Sequence, residues 1–166
     1  INPADAVEAR AAVLAAAEYE GPVYMRFGRL AVPAIFDESY KFEVGKAVEL
    51  KKGDDVTIIA TGLMVSRALD AAKMLEENKG IHARVINMHT IKPIDKDAII
   101  AASKETKFIV TAEEHSVIGG LYSAVTEVTS SQAPCKVIPV AVMDTFGKSG
   151  PATELLEEYG LTAENI

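Results

Sequence analysis

The residues best suited to chemistry in this chain are Glu113, Glu114 and His115, which follow directly after an apolar run. Two carboxylates beside an imidazole can carry out acid–base chemistry near neutral pH. Adjacent side chains of an extended chain point to opposite faces, however, so the three would converge on one substrate atom only if the chain bends. We favour a structural interpretation in which one glutamate caps the following helix and His115 hydrogen-bonds across an interface, with Glu114 as a second interface candidate.

Two arginines form another candidate site. Arg26 and Arg29 lie at the end of a short β-branched and aromatic segment, 23–27, and Arg29 directly follows Gly28. A chain that turns at this glycine can present the guanidinium fork to a phosphate or a carboxylate. The alternative is a salt bridge between domains, and the spacing alone favours neither role.

The remaining motifs that could bind a ligand are incomplete. Thr61-Gly62 and Gly119-Gly120 each lead into a helix, but neither continues with the residues that phosphate loops and dinucleotide folds require. We therefore predict that these glycines serve tight turns and close helix–strand packing. Cys135 has no adjacent histidine to activate it, and no side chains have the spacing of metal ligands. The sequence predicts neither a catalytic residue nor a metal site within the chain.

Composition excludes several classes of partner. The chain has 17 basic and 24 acidic residues and a net charge of −7, whereas a nucleic-acid surface needs a clustered basic excess. Its apolar runs are far shorter than the roughly 20 residues of a membrane span. We expect no nucleic-acid or membrane partner and a cytoplasmic location. The chain begins at Ile1 without a methionine, which suggests a processed product or an excised fragment.

Strand and helix signals alternate from residue 46 onward. This alternation predicts an α/β fold with three αβα layers and a mostly parallel sheet of about five strands, in which the first strand is an antiparallel edge. An irregular stretch at 29–43 indicates a junction between two units. The predicted strands are 23–27, 47–50, 56–60, 83–88, 108–112 and 137–142. The predicted helices are 3–19, 64–78, 93–103, 121–130 and 153–159. In such folds ligands bind beyond the carboxyl ends of the strands, which here are 61–63, 89–91, 113–115 and 143–145.

Several motifs, in order, resemble the transketolases and deoxyxylulose-phosphate synthases. GPVYMRFGR at 21–29 resembles the end of their pyrimidine-binding domain. The motifs that resemble their C-terminal domain are IIATG at 58–62, RVINM at 84–88, IKPID at 91–95, EEHSVIGGL at 113–121 and DTFGKSG at 144–150. The resemblance covers nearly the whole chain and is greatest to the C-terminal subunit of split transketolases. It implies that residues 1–35 are the end of the pyrimidine-binding domain with a linker, and that 36–166 are the C-terminal domain.

The resemblance also implies a function. Enzymes of this family move a two-carbon ketol unit between sugar phosphates, as homodimers that hold thiamine diphosphate and Mg²⁺ between two other domains. Arg29 matches the arginine that grips the sugar phosphate, whereas His115 matches a residue without an assigned role. The Gly-Asp-Gly motif and the glutamate that activates the cofactor are absent from these 166 residues. We therefore expect this chain to stabilise the dimer, to bind no cofactor itself, and to be inactive without the N-terminal and pyrimidine-binding domains or subunit.

Three alternatives remain open at this point. The chain could be the equivalent domain of deoxyxylulose-phosphate synthase, or of a 2-oxo acid dehydrogenase β subunit, which also docks a carrier protein. It could instead be a free-standing regulatory domain that binds a small anion.

Overall fold

Residues 45–166 form an α/β unit in the computed structural model, which describes residues 1–166. Its sheet has the strand order β1-β3-β2-β4-β5, in which β2 to β5 are parallel and β1 is an antiparallel edge. The strands are β1 (Val48–Lys51), β2 (Val56–Ala60), β3 (Ala83–Asn87), β4 (Ile109–Ser116) and β5 (Val137–Val142). The predicted fold class is confirmed. A tight turn leads from the edge strand β1 to β2, yet the partner of β1 in the sheet is β3.

Helices cover both faces of this sheet. They are α2 (Met64–Lys79), α3 (Lys96–Glu105), α4 (Leu121–Gln132) and α5 (Ala152–Glu158), and a short 3-10 turn, Ala163–Asn165, ends the chain. Successive residues of β2 belong to different apolar clusters: Ile58 packs with α2 residues, whereas Ile59 packs with residues of α3 and α4. This alternation is the expected consequence of the two-residue period of a strand covered on both sides.

The N-terminal region contains one helix, α1 (Ala6–Glu18), which begins after the capping residue Asp5. The predicted strand at 23–27 is wrong, because no strand forms there. Instead, the Ile1 amine donates to the Tyr24 carbonyl oxygen and the Arg26 amide donates to the Ile1 carbonyl oxygen, and each bond is 2.9 Å long. This is the bonding pattern of two parallel strands, reduced to one residue because only Ile1 lies alongside. The irregular stretch predicted at 29–43 is present and extends further, to residue 47.

Candidate functional site

A cleft of about 1000 Å³ lies at the carboxyl ends of β2, β3 and β4. Several residues between 1 and 26 also line it, so the cleft lies between the N-terminal region and the sheet. Three of the four strand-end segments singled out from the sequence contribute to it, and the segment after β5 does not. The polar side chains that line it are Asn2, Tyr19, Tyr24, Arg26, Thr61, Lys92, Glu113 and His115.

Glu113 caps the helix that follows it. Its side chain is 2% exposed, and its two carboxylate oxygens accept hydrogen bonds from the amides of Leu121 at 2.6 Å and Tyr122 at 2.8 Å. Burial raises the pKa of Glu113, while the two amide hydrogen bonds act in the opposite direction. The sequence-based interpretation of one glutamate as a cap is therefore confirmed, and acid–base chemistry has no support at this residue.

The glycines near the cleft allow close packing. A Cβ at Gly120 would overlap Oε2 of Glu113, so only glycine leaves room for the cap. At Gly62, where φ is +58°, a Cβ would lie 2.6 Å from Nδ2 of Asn2. Both positions confirm the packing role predicted for these glycines. The N-terminal amides of α4 are already bonded to Glu113, which argues against an anion site there.

His115 and Glu114 lie in different surroundings. His115 is exposed, lines the cleft on the same side of β4 as Glu113, and has its Nδ1 3.0 Å from the Ser116 carbonyl oxygen. Glu114 is half-buried, does not line the cleft, and makes no side-chain hydrogen bond or ion pair. The alternation of side chains along the strand therefore places Glu114 on the side of β4 opposite to Glu113 and His115. Their role at an interface stays a prediction.

Arg29 lies outside the cleft, at a bend on the surface. Its side chain is exposed and takes part in no ion pair within the chain. A Cβ at the preceding Gly28 would have no heavy atom within 4 Å, so no other part of the chain packs against the bend at that point. The guanidinium is thus available to a group from outside this chain, while Arg26 faces the cleft. Phosphate binding by Arg29 stays a prediction.

Two buried carboxylates, Asp5 and Glu8, lie at the start of α1 and bind distant segments of the chain. Asp5 accepts hydrogen bonds from the amides of Glu8, Ile35 and Phe36, at 2.7 to 2.8 Å. Sequence reasoning missed this cluster, although the Asp-x-x-Glu spacing of a helix start was visible.

Glu8 is fully buried and reaches further than a helix cap. Its carboxylate accepts from the Ala4 amide at 2.7 Å, from the Tyr40 hydroxyl at 2.6 Å and from Nδ2 of Asn87 at 2.8 and 3.0 Å. Burial raises the pKa of Glu8, whereas these hydrogen bonds lower it. Burial and the adjacent Glu8 raise the pKa of Tyr40, so its hydroxyl remains a donor.

His89 lies at the same junction, and burial lowers its pKa to about 4. Its ring packs on Phe42 with centroids 4.2 Å apart, and its Nδ1 is 2.8 Å from the Thr90 hydroxyl. The carbonyl of His89 accepts from the Asn2 amide at 2.8 Å. The imidazole is therefore a neutral packing element between the N-terminal region and the sheet.

The side chains of this chain do not fit a site for thiamine diphosphate and its metal. No group of three or more His, Cys, Asp or Glu residues converges on a point where a metal ion could bind. The α4 N-terminus, which would suit a diphosphate, is bonded to Glu113. The lack of cofactor binding by the chain stays a prediction. None of the helices combines the length and the apolar character that crossing a bilayer requires.

Comparison with known proteins identifies relatives over nearly the whole chain. The family model described as transketolase, C-terminal domain, matches residues 45–166. The 6-deoxy-6-sulfo-D-fructose transketolase subunit of Clostridium sp. strain MSTE9 is 44% identical over 165 residues, which are 99% of this chain and 51% of the relative. The 1-deoxy-D-xylulose-5-phosphate synthase of Heliobacterium modesticaldum is 40% identical over 167 residues, 99% of this chain and 26% of that protein.

A solved structure is similar over the same extent. It is described as a split-gene transketolase, inactive β4 tetramer, and it shares 52% identity with this chain at a TM-score of 0.92. The match covers 98% of this chain and 52% of the solved chain. The chain thus spans about half the length of this structure and of the Clostridium relative.

Proposed function

The chain belongs to the transketolase C-terminal domain family, and we propose that it is the C-terminal part of a split-type transketolase subunit. The intact enzyme would transfer a two-carbon ketol unit between sugar phosphates, with thiamine diphosphate and Mg²⁺ bound by domains outside this chain. The observation that carries the proposal is the 0.92 TM-score to a split-gene transketolase over 98% of the chain, because this match includes most of the residues before the family domain. The partners would be the N-terminal and pyrimidine-binding domains and a second copy of the enzyme, in the cytoplasm.

The N-terminal region supports a division of the chain near residue 35. Ile1 bonds to Tyr24 and Arg26 in the parallel pattern, and α1 lies between these two segments. A helix that connects two parallel extended segments is the βαβ unit of an α/β sheet. Residues 1–35 would accordingly complete the sheet of the pyrimidine-binding domain, and 36–166 would form the C-terminal domain.

In this assignment Arg29 binds the phosphate of the sugar. Arginine can form two parallel charge-assisted hydrogen bonds to phosphate oxygens, a geometry that lysine cannot reproduce. The exposed position of Arg29 and its lack of an ion pair leave all its donors available. His115 and Glu114 would lie where the domains meet.

The proposal is tested with the full-length protein that contains this chain. Xylulose phosphate plus ribose phosphate should support ketol transfer, and Arg29→Lys should raise the KM for the phosphorylated donor by about tenfold or more. The KM for xylulose without phosphate should not change. Ketol transfer by the 166 residues alone, or an equal effect of the substitution on both donors, would contradict the assignment.

A second candidate function is supported by the 40% identity to a deoxyxylulose-phosphate synthase. Both families would use the same phosphate-binding arginine. Pyruvate plus glyceraldehyde phosphate, supplied to the same full-length protein, separates the two. Turnover with this pair and none with the two pentose phosphates would favour the synthase.

A further inference from the structure

Two carboxylates at the start of α1 hold the segment that follows Arg29 at two places, residues 35–36 and residue 40. Asp5 Oδ2 accepts from the amides of Ile35 and Phe36, at 2.7 and 2.8 Å, and Glu8 Oε1 accepts from the Tyr40 hydroxyl at 2.6 Å. We refer to Asp5 and Glu8 with these partners as the carboxylate clasp. It fixes residues 35–40 relative to the helix.

The clasp is also attached to the sheet. Asn87, the last residue of β3, donates through Nδ2 to both oxygens of Glu8. Between Arg29 and the clasp, Leu30 and Val32 pack against the larger apolar core of the sheet. The chain from residue 30 to residue 40 therefore has little freedom, and Arg29 is the last side chain before it.

Stability alone is a weak explanation for this arrangement. Burying a carboxylate costs free energy that hydrogen bonds repay only in part, and apolar residues of similar volume often serve a core equally well. Asp5 and Glu8 are 4% and 0% exposed, and each accepts at least three hydrogen bonds. Directional bonds of this kind define one path for the chain, which apolar contacts do not.

We propose that Asp5 and Glu8 are positioning residues, which set the place from which Arg29 presents its guanidinium to the phosphate of the substrate. This inference rests on the proposed phosphate-binding role of Arg29. A small displacement of a binding group can cost up to about a hundredfold in rate, so the clasp acts on substrate binding without touching the substrate.

The test uses the full-length protein and two donors, xylulose phosphate and xylulose. Asp5→Asn and Glu8→Gln should each raise the KM for the phosphorylated donor by about three- to tenfold, because each replaces an acceptor by a group that repels a neighbouring N–H or O–H donor. The kcat and the KM for xylulose should remain within about twofold. Asp37→Asn is the matched control, because that exposed carboxylate lies in the same segment and bonds only to Ser39.

A double-mutant cycle separates positioning from simple loss of structure. In an Arg29→Ala background, Asp5→Asn should have almost no further effect on the KM, because the group that it positions is absent. An equal rise in KM in both backgrounds, or an equal rise for both donors, would overturn the proposal.

Two further results are decisive. If Glu8→Gln does not fold, Tyr40→Phe removes a single bond of the clasp and should still raise the KM for the phosphorylated donor by about threefold or more. A Tyr40→Phe variant with unchanged KM would then overturn the proposal.

The Arg29→Ala variant separates the two proposals. If it raises the KM equally for both donors, the proposed phosphate role is wrong. If it raises the KM only for the phosphorylated donor and the clasp variants do not, only the positioning role is wrong.

Discussion

The two parts of this molecule are stabilised in different ways. Residues 45–166 have an apolar core on each face of a five-stranded sheet. Residues 1–44 have one helix, fixed mainly by buried carboxylates, and they leave large apolar side chains in solvent. Five of the eight exposed large apolar residues lie in this short region, namely Val13, Leu14, Tyr19, Tyr24 and Phe27.

The difference indicates which part can fold unaided. A sheet covered on both faces buries enough apolar surface to be stable by itself. A helix with exposed valine and leucine has a face that is suited to another surface. This contrast agrees with our proposal that residues 1–35 complete a neighbouring domain, and it can be tested by substitutions in each part.

The largest effect is expected in the sheet core. Ile59 in β2 is fully buried between β3 and β4, so Ile59→Ala should lower the free energy of unfolding by about 2–5 kcal/mol. Denaturant unfolding measures this loss. Val13→Ala, at a 49% exposed position of α1, is the control and should cost far less. Equal losses would show that the two parts are stabilised alike.

The free energy of unfolding should depend on pH through His89, which lies where the two parts of the molecule meet. Its pKa is about 4 in the folded chain, below its ordinary value of 6.5, so the unfolded chain binds a proton more readily between these values. The contribution of His89 to the free energy of unfolding is fully present above pH 6.5. It is lost as the pH falls toward 4, by about 3 kcal/mol.

The measurement compares the unfolding free energies of the parent and of His89→Gln from pH 7 to 4. The raised pKa values of Glu8 and Glu113 act in the opposite sense, since their contribution falls as pH rises above 4.5. Both proteins retain these two glutamates, so the difference between their unfolding free energies reports on His89 alone. Parallel curves would contradict the neutral, buried state of His89.

Glycine substitutions should show a smaller contrast. Gly120→Ala places a methyl group on the carboxylate of Glu113 and should cost about 1–3 kcal/mol, read from thermal unfolding. Gly28→Ala meets no atom within 4 Å and should change stability by less than about 1 kcal/mol. A costly Gly28→Ala would mean that the Arg29 turn is tightly packed.

The smallest effect is expected at the exposed face of α1. Leu14 is 61% exposed, so Leu14→Ser should alter the unfolding free energy of this chain by no more than about 0.5 kcal/mol. In the full-length protein the same substitution should cost more, because a neighbouring domain would cover the residue. Identical costs in the two proteins would remove the support that this face gives to the domain assignment.

The sheet was largely predictable because its signals are local. The apolar run of β2 and the capped, periodic helices can be recognised within a few residues of each element. The end of β4 was not predicted: it continues to Ser116, where it pairs with Val142 beyond an irregularity, and this depends on a distant strand. The strand at 23–27 was wrong for the same reason, since its only neighbour here is Ile1.

The candidate site was predictable to a lesser extent. The cap formed by Glu113 and the packing glycines followed from their positions between a strand and a helix. The carboxylate clasp did not, because Glu8 finds Tyr40 and Asn87 at separations of 32 and 79 residues. Such contacts are set by the tertiary fold, which no local pattern specifies.

We propose that this chain is a scaffold and that the reactive groups of the enzyme belong to other domains. The most direct test is calorimetric titration of thiamine diphosphate with Mg²⁺ into the folded 166-residue chain and, in parallel, into the full-length protein. We predict stoichiometric binding to the full-length protein and no binding to the chain alone. Tight, one-to-one binding by the 166 residues would contradict the account.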